Sequence, residues 1–480
     1  MAHPFISATL ATFQHELRLL LRDPFCVALL ICFCGGLAWA SGTSQFQWRA
    51  FAIQQTERQA AAREAWLSQS TENAHMATHH GQTVYKPVSP LTGFDPGSVS
   101  EFGSTLFLQS HHQSTATNPP RRDSVDLNQN EAYSPAVLLA LMGPLLIIIL
   151  GIASVAREKE GGTLSILLTT GAPWPAIMLG KSLTILLVLW VVALPAFWLL
   201  AVPWFETQPL VSAVDLMARE LLILLTLVGY FVGWIGLTLA VSAKSESSIG
   251  SFSVLIALWS TLVLIAPRIA GDTATYVSPL PTKAEIRLEK ENAVQKANQS
   301  SVERTRLNQA LEARLLKEFQ VDLIEDLPID LAGAQMIDQE FNTNRIFDEI
   351  DERVSQATNR QNDILQQFQF TSPYLAIRAI SSSLSATDRS HHIDFLDTAE
   401  HHRRQFVNEL NTAEMKRTSP GNSAEERREF WAQVSAFQPN FVSSFEAIKR
   451  SLSALICVFI WAITMGTAAF LTPPQFSRVS

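Results

Sequence analysis

From residue 182 to residue 204 the chain reads Ser182-Leu-Thr-Ile-Leu-Leu-Val-Leu-Trp-Val-Val-Ala-Leu-Pro-Ala-Phe-Trp-Leu-Leu-Ala-Val-Pro-Trp204, without a single charged side chain. A helix needs about 20 mainly apolar residues to cross the roughly 30 Å hydrocarbon core of a bilayer. This stretch therefore predicts a transmembrane helix, with the lipid bilayer as its surroundings.

Five further stretches have the same apolar character, at residues 25–41, 136–156, 216–242, 249–266 and 452–472. Of the 480 residues, 47% are hydrophobic and 17% charged, whereas soluble domains carry about 25% charged residues. The charge deficit is concentrated in the apolar stretches, which excludes a single soluble globule and a fully disordered chain. The predicted fold class is an all-α membrane protein with six transmembrane helices and a large, mainly helical extracytoplasmic domain.

Lysine and arginine beside the spans predict the orientation of the chain in the membrane. Arg22 precedes the first span, and Arg157 and Lys181 lie between the second and third spans. We therefore expect cytoplasmic termini, long segments at 42–135 and 267–451 on the outer side of the membrane, and a multi-pass topology.

The leader at 1–24 is predicted to form an amphipathic helix along the inner membrane surface, before Pro24 turns the chain. Residues 473–480 are predicted to form a cytoplasmic tail. A cleaved signal peptide ending at Ala38-Trp39-Ala40 is the alternative interpretation of the N-terminal region. The length and amphipathic character of the leader favour the membrane-surface helix.

The two outer segments differ in character. Residues 56–66 are rich in Ala, Glu and Arg, which favours a helix extending span one, whereas the composition of 70–126 predicts irregular structure. In the second outer segment, apolar residues recur at helical spacing, which predicts helices that pack against one another. These helices are expected around 284–319, 346–368, 373–384 and 391–411.

Histidine is concentrated in the outer segments, where four His-His pairs occur. On a helix, Asp394, Asp397 and His401 are spaced three and four apart and share one face, so that they form a candidate divalent-metal site. Solvated polar positions are the alternative interpretation of these residues, and the stronger one.

Several other functions are disfavoured by the sequence. The nearest match to a P-loop, at 175–182, lacks the first glycine, so that no nucleotide site and no directly bound cofactor are predicted. Neither H-E-x-x-H nor a defensible Ser/His/Asp pattern occurs, and the chain is not expected to be an enzyme. A net charge of −8 without a basic block argues against a nucleic-acid partner.

The fourth predicted span carries three glycines, Gly229, Gly233 and Gly236. The G-x-x-x-G spacing of Gly229 and Gly233 lets another helix approach closely. That helix belongs either to the same chain or to a second copy, and the sequence leaves both alternatives open.

Between the second and third spans the chain reads Arg157-Glu-Lys-Glu-Gly-Gly-Thr-Leu-Ser-Ile-Leu-Leu-Thr-Thr-Gly-Ala-Pro-Trp-Pro-Ala-Ile-Met-Leu-Gly-Lys181. The glycine pair is predicted to break a helix, Thr163 to cap a short second helix, and 171–175 to break the chain again. We expect Gly161 to adopt a backbone conformation that penalises side chains, and the leucines to offer an apolar face to a partner.

This hairpin, 157–181, resembles the cytoplasmic signature of permeases of ATP-binding cassette (ABC) transporters in the type-2 exporter superfamily. The leader resembles the elbow helix of that family. Residues 266–268 and 385–403 resemble its branch with large extracytoplasmic insertions after spans one and five. The additional glycine at Gly162 departs from the signature.

The resemblance implies a permease subunit of an exporter in a bacterial cell inner membrane, with periplasmic long segments. This subunit would couple ATP hydrolysis to substrate translocation. A separate ABC ATPase subunit would bind ATP-Mg, and a second permease, identical or related, would complete the path. The residues implied in ATPase coupling are Glu158, Glu160, Gly161, Gly162, Thr163, Leu164, Leu167, Leu168, Gly180 and Lys181.

Two alternatives belong to other functional classes. The first is a membrane-anchored scaffold or sensor whose extracytoplasmic domain binds a partner. The second is a membrane enzyme, which would require polar groups that converge in a pocket.

Overall fold

The structure, a computed structural model, describes residues 4–99, 101–113, 134–205, 211–299 and 301–473. It is almost entirely helical, which confirms the predicted fold class. Among these described residues, six helices are long and apolar enough to cross a membrane. Of the predicted tail at 473–480, only the first residue lies within the described part of the chain.

The elements of the first half follow one another in this order: α1 (Pro4–Arg22), α2 (Pro24–Leu67), α3 (Ala74–His80), β1 (Gln82–Tyr85), β2 (Thr105–Leu108), α4 (Pro135–Glu160), α5 (Thr163–Thr169), α6 (Trp174–Ala201), α7 (Ala213–Lys244) and α8 (Ser248–Trp259). The second half contains α9 (Ala266–Val277), α10 (Lys283–Gln299), α11 (Ser301–Phe319), α12 (Leu331–Gln369), α13 (Pro373–Leu384), α14 (Arg389–Met415), α15 (Ala424–Gln433), α16 (Ser444–Arg450) and α17 (Leu452–Leu471).

Helix α2 begins at a defined break after α1 and continues far beyond its apolar part. The Asp23 carboxylate accepts a hydrogen bond from the backbone N–H of Phe25 at 2.9 Å, and Pro24 occupies the first turn. With 44 residues, α2 is much longer than a single membrane crossing requires. Its outer end is held by Trp66, whose indole N–H donates to the carbonyl oxygen of Trp431 at 3.1 Å.

Helix α7 lies at the centre of the membrane bundle, between α4 and α17. The Tyr230 hydroxyl donates to the carbonyl oxygen of Ala140 on α4 at 2.7 Å. From the other side, the indole N–H of Trp461 on α17 donates to the carbonyl oxygen of Tyr230 at 3.2 Å. In an apolar bundle such hydrogen bonds and close packing hold the helices together.

The fifth span contains a π-helical turn at Ser260–Ile265, and α9 continues from it as far as Val277. Pro267, the second residue of α9, has no N–H to donate to the preceding turn. The wider turn accommodates this lost hydrogen bond, so that the helix extends past the predicted span.

The first outer segment is more ordered than its composition predicts. Strands β1 and β2 pair antiparallel, with Gln82 opposite Leu108, and α3 precedes them. Val84 and Leu108 are buried in one cluster with Phe406 of α14. This long-range burial stabilises two strands of only four residues, which a local pattern does not reveal.

The second outer segment forms the expected helices. Helix α14 buries Phe395, Ala399, Phe406 and Leu410 along one side, as the helical spacing predicts. Together with α3, the sheet and Trp431 of α15, this side forms a hydrophobic core outside the spans. The described residues between α2 and α4 and between α9 and α17 are called the outer domain, after the side of the membrane predicted for them.

A buried arginine joins this outer domain to the bundle. Arg219 of α7 donates to the carbonyl oxygen of Leu384 at 2.8 Å and to that of Val442, and it pairs with Asp215 at 2.8 Å. Arg219 is only 3% exposed. The end of the fourth span is therefore attached directly to α13 and to the segment before α16.

Candidate functional site

The segment between α4 and α6 is a helical hairpin with two tight breaks. Gly162 has a φ of +71° and Gly171 a φ of +80°, which place both in the left-handed region that favours glycine. Gly161, in contrast, has a φ of −80° and a ψ of −2°. The prediction for Gly161 was wrong, because the neighbouring Gly162 takes the left-handed conformation instead.

Thr163 does not cap α5 as predicted. The residue in the N-cap position is Gly162, and no side chain supplies a capping hydrogen bond. The Thr163 hydroxyl instead donates to the carbonyl oxygen of Glu158 at 3.2 Å. Thr163 thus ties the start of α5 to the end of α4.

The apolar residues of α5 divide between the bundle and solvent. Leu164 is fully buried, and Leu167 and Leu168 pack half-buried against the core of the bundle. Leu164 therefore cannot offer the outward contact that the sequence predicts. The exposed apolar side chain of α5 is Ile166, at 65% relative exposure.

A buried lysine connects three elements at the base of this hairpin. The ammonium group of Lys181 on α6 lies 2.5 Å from Glu16 Oε1 of α1 and 2.9 Å from Glu158 Oε1 of α4. It also donates to the carbonyl oxygen of Ser154 at 2.7 Å. The Lys181 side chain is fully buried, so its charge is balanced by these oxygens and not by water.

Sequence reasoning selected Lys181 and Glu158 and missed Glu16. The signal that could have found Glu16 is that it is the single acidic residue within Pro4–Arg22 of the amphipathic leader. Helix α1 approaches α6 at Gly180, where an added Cβ would lie 2.7 Å from the Thr12 side chain. Gly180 thus allows the close contact that brings Glu16 to Lys181.

A second set of contacts joins the hairpin to the fifth span. The Glu160 carboxylate accepts hydrogen bonds from the backbone N–H of Ser248 at 2.8 Å and from its hydroxyl at 2.7 Å. The ammonium group of Lys159 donates to the carbonyl oxygen of Ser245 at 3.1 Å. The end of α4 is therefore fixed to the start of α8.

The glycines of α7 form a packing surface within the chain. An added Cβ at Gly233 would lie 2.1 Å from the indole nitrogen of Trp461, and one at Gly236 would lie 2.0 Å from the carbonyl oxygen of Met465. Gly229 is less tightly packed, since an added Cβ there would lie 3.3 Å from the Val458 side chain. The sequence left open whether the helix that packs on these glycines belongs to the same chain or to a second copy. In the structure it is α17 of the same chain.

The predicted metal residues of α14 are not gathered into a site. Asp394 is engaged by Arg450, with hydrogen bonds of 2.6 and 3.2 Å. His401 is exposed, and burial followed by repulsion from Asp394 raises the pKa of Asp397. Within the described residues, the side chains that come together with metal-binding spacing are those of His75, His79 and His111.

The outer domain also contains a buried ionic cluster around Arg403. Its fully buried guanidinium binds Glu340 at 2.5 Å and Glu400 at 2.8 Å, and donates to Asn344. Burial alone would raise the pKa of Glu340, but His111 and Arg403 lower it to about 2. This cluster fixes α12 to α14 beside the three histidines.

The family match found for this chain lies in the outer domain. Residues 287–440 match a family described as a domain of unknown function, DUF3526. No curated protein and no solved structure matches the chain. The matched region runs from α10 to just beyond α15, and therefore includes the Arg403 cluster but neither the hairpin nor the spans.

Proposed function

We propose that this chain is the permease subunit of an ABC transporter in a bacterial inner membrane and acts in export. A separate ATPase subunit docks on the hairpin at 157–181, and a second permease completes the translocation path. The support is the hairpin signature together with six apolar helices and a short helix, α5, exposed at one end of the bundle.

One observation carries this proposal: the hairpin is attached to other parts of the bundle on both sides. The Lys181–Glu16 pair links it to α1, and the Glu160–Ser248 hydrogen bonds link it to α8. A displacement of α5 would therefore move α1, α4, α6 and α8 together. This is the mechanical connection that an ATPase needs in order to change the arrangement of the spans.

The position of Ile166 suggests where the ATPase makes contact. This side chain is 65% exposed on α5, whereas the neighbouring leucines pack inward. An exposed apolar residue on a short helix suits insertion into a cleft of a partner protein. Replacing it by aspartate places a charge in that contact without disturbing the buried side of α5.

The test is to purify the full chain from its own membrane in mild detergent and to identify the proteins that accompany it. We expect an ATP-hydrolysing subunit to copurify with the wild type, and at least tenfold less of it with Ile166→Asp. The matched control is Phe445→Asp, which changes another exposed apolar residue, at 75% relative exposure, on α16. This control variant should retain the ATPase.

Two outcomes would contradict the proposal. One is the absence of any ATPase from the wild-type preparation, with a periplasmic protein recovered instead, which would favour the scaffold or sensor. The other is undiminished recovery of the ATPase with Ile166→Asp at equal abundance of the chain in the membrane.

A further inference from the structure

Three histidines of the first outer segment lie together at the surface of the outer domain. His75 and His79 are one turn apart on α3, and His111 follows β2. Their ring centroids are separated by 5.0 Å for His75–His79, 5.6 Å for His79–His111 and 6.2 Å for His75–His111. One ring nitrogen of each residue lies within 4.8 Å of those of the other two.

Hydrogen bonds between α3 and the turn after β2 hold this arrangement in place. The backbone N–H of Ser110 donates to the carbonyl oxygen of Thr78 at 3.2 Å, and the Thr78 hydroxyl donates to the Ser110 hydroxyl at 2.9 Å. His111 itself has a φ of +61°, which is unusual for a residue with a side chain. Its backbone N–H donates to Glu340 Oε2 at 3.1 Å, which fixes that conformation.

Each imidazole also has an oxygen atom next to its Nδ1. The Nδ1 of His75 lies 2.8 Å from the side-chain oxygen of Asn411, and that of His79 lies 3.3 Å from the Ser110 hydroxyl. The Nδ1 of His111 lies 3.0 Å from Glu340 Oε2. Histidines that bind metals typically engage one ring nitrogen with such an oxygen, which orients the ring and leaves Nε2 for the metal.

We propose that His75, His79 and His111 bind one divalent late transition-metal ion, such as zinc, through their imidazole nitrogens. Three nitrogen ligands with no thiolate suit zinc or copper(II), whereas magnesium and calcium prefer oxygen ligands. His79 is exposed and the other two histidines are half-buried, so that a fourth coordination position faces solvent. A site of this kind exchanges its metal or accepts an additional ligand.

Small side-chain rotations complete the geometry. In a tetrahedral zinc site the metal–nitrogen distance is about 2.0–2.1 Å, which places ligand nitrogens about 3.3 Å apart. The three nitrogens therefore approach one another by about 1.5 Å or less on binding. The exposed His79 ring on α3 is free to make most of this movement because it is not packed in the core.

The experiment uses the full chain in detergent, without a polyhistidine tag and stripped of metal by a chelator. Calorimetric titration with zinc should show one equivalent bound per chain. His79→Gln should weaken binding at least tenfold, since it removes one of three ligands. The matched control is His80→Gln, an exposed histidine on the same helix, which should bind zinc like the wild type. Magnesium should give no saturable heat.

A spectroscopic readout separates the histidine site from other zinc binding. With copper(II) in place of zinc, electron paramagnetic resonance should show coupling to imidazole nitrogens in the wild type and fewer such couplings in His79→Gln. Equal thermal unfolding of the metal-free wild type and His79→Gln would show that the variant is folded. No saturable zinc binding by the wild type, or unchanged zinc affinity in His79→Gln, would overturn the proposal.

Discussion

The ammonium group of Lys181 lies 2.5 Å from the carboxylate of Glu16, across the contact between α6 and α1. A second carboxylate, that of Glu158, lies 2.9 Å from the same ammonium group. Removing charges from water costs several kcal/mol per ion, and only close, well-oriented partners offset that cost. The Lys181–Glu16 pair therefore fixes the position of α1 against α6. Loss of either charge should disturb this position.

We expect Lys181→Met to destabilise the protein by about 3–5 kcal/mol, because it leaves the buried carboxylate of Glu16 and the half-buried carboxylate of Glu158 without a cation. Thermal unfolding of the full chain in detergent measures the effect. The control is Lys244→Met, at the exposed end of α7, which should change stability by less than about 0.5 kcal/mol. Equal unfolding temperatures for the two variants would show that the buried cluster contributes little.

Close packing of α7 against α17 gives the second prediction. Gly236→Ala should separate these helices, because the added Cβ would lie 2.0 Å from the backbone oxygen of Met465, which cannot move alone. We expect a loss of about 1–3 kcal/mol, the usual cost of overpacking. Gly35→Ala on α2 is the control, since nothing lies within 4 Å of its new Cβ. An unchanged unfolding temperature for Gly236→Ala would contradict this packing.

Local patterns in the sequence predicted the helices but not their long-range partners. The apolar runs gave the spans, and the spacing of Phe395, Ala399 and Phe406 gave the buried side of α14. The role of Glu16 was not predicted, because its partner, Lys181, lies 165 residues away in the sequence. Asp394 was only a candidate metal ligand, and the pattern on one helix does not reveal its partner Arg450.

The backbone conformation of the glycine pair and the two short strands could not be predicted from the sequence either. Two adjacent glycines gave no indication that Gly162, and not Gly161, takes the positive φ, because either can do so. Strands β1 and β2 have four residues each and depend on burial against α14. His111 joins His75 and His79 only through that sheet, so the histidine cluster was not predicted.

The buried guanidinium of Arg403 gives the third prediction. Arg403→Met removes the guanidinium that pairs with the buried Glu340, while Glu400 keeps its second partner, Arg404, and we expect a loss of about 3–5 kcal/mol. The neighbouring Arg404→Met should cost about 1 kcal/mol or less, because its partner Asp348 is more than half exposed and its other partner, Glu400, keeps Arg403. Denaturation of the full chain followed by circular dichroism compares the two variants, and a larger loss for Arg404→Met would contradict the assignment.

The fourth prediction concerns orientation in the membrane, which the Lys and Arg distribution favours. Single cysteines at Ser70 and Thr170, both exposed, are introduced into a chain whose four native cysteines have been replaced. An impermeant thiol reagent added to intact spheroplasts should label the cysteine at position 70 and leave that at position 170 unlabelled. Labelling only at position 170 would reverse the proposed orientation and place the hairpin away from ATP.

Acid should destabilise the outer domain through a buried histidine. His392 is 6% exposed and stacks on Phe102 with ring centroids 4.4 Å apart. Burial, followed by repulsion from Lys86, Lys283 and Arg389, lowers its pKa to about 3. Between pH 6.5 and about 3 the unfolded chain binds a proton that the folded chain does not. The contribution of the neutral, buried His392 to the free energy of unfolding is therefore fully present above pH 6.5. This contribution is lost progressively as the pH falls toward 3.

At pH 5 the resulting loss in the free energy of unfolding amounts to about 2 kcal/mol, since each pH unit below the ordinary histidine pKa contributes about 1.4 kcal/mol. We expect His392→Leu to remove that part of the acid sensitivity, because Nδ1 of His392 has no hydrogen-bond partner in the described part of the chain. The exposed His401→Leu is the control and should follow the wild type. The measurement is the free energy of unfolding at pH 7.5 and pH 5, and an equal loss in wild type and His392→Leu would show that His392 does not cause the acid sensitivity.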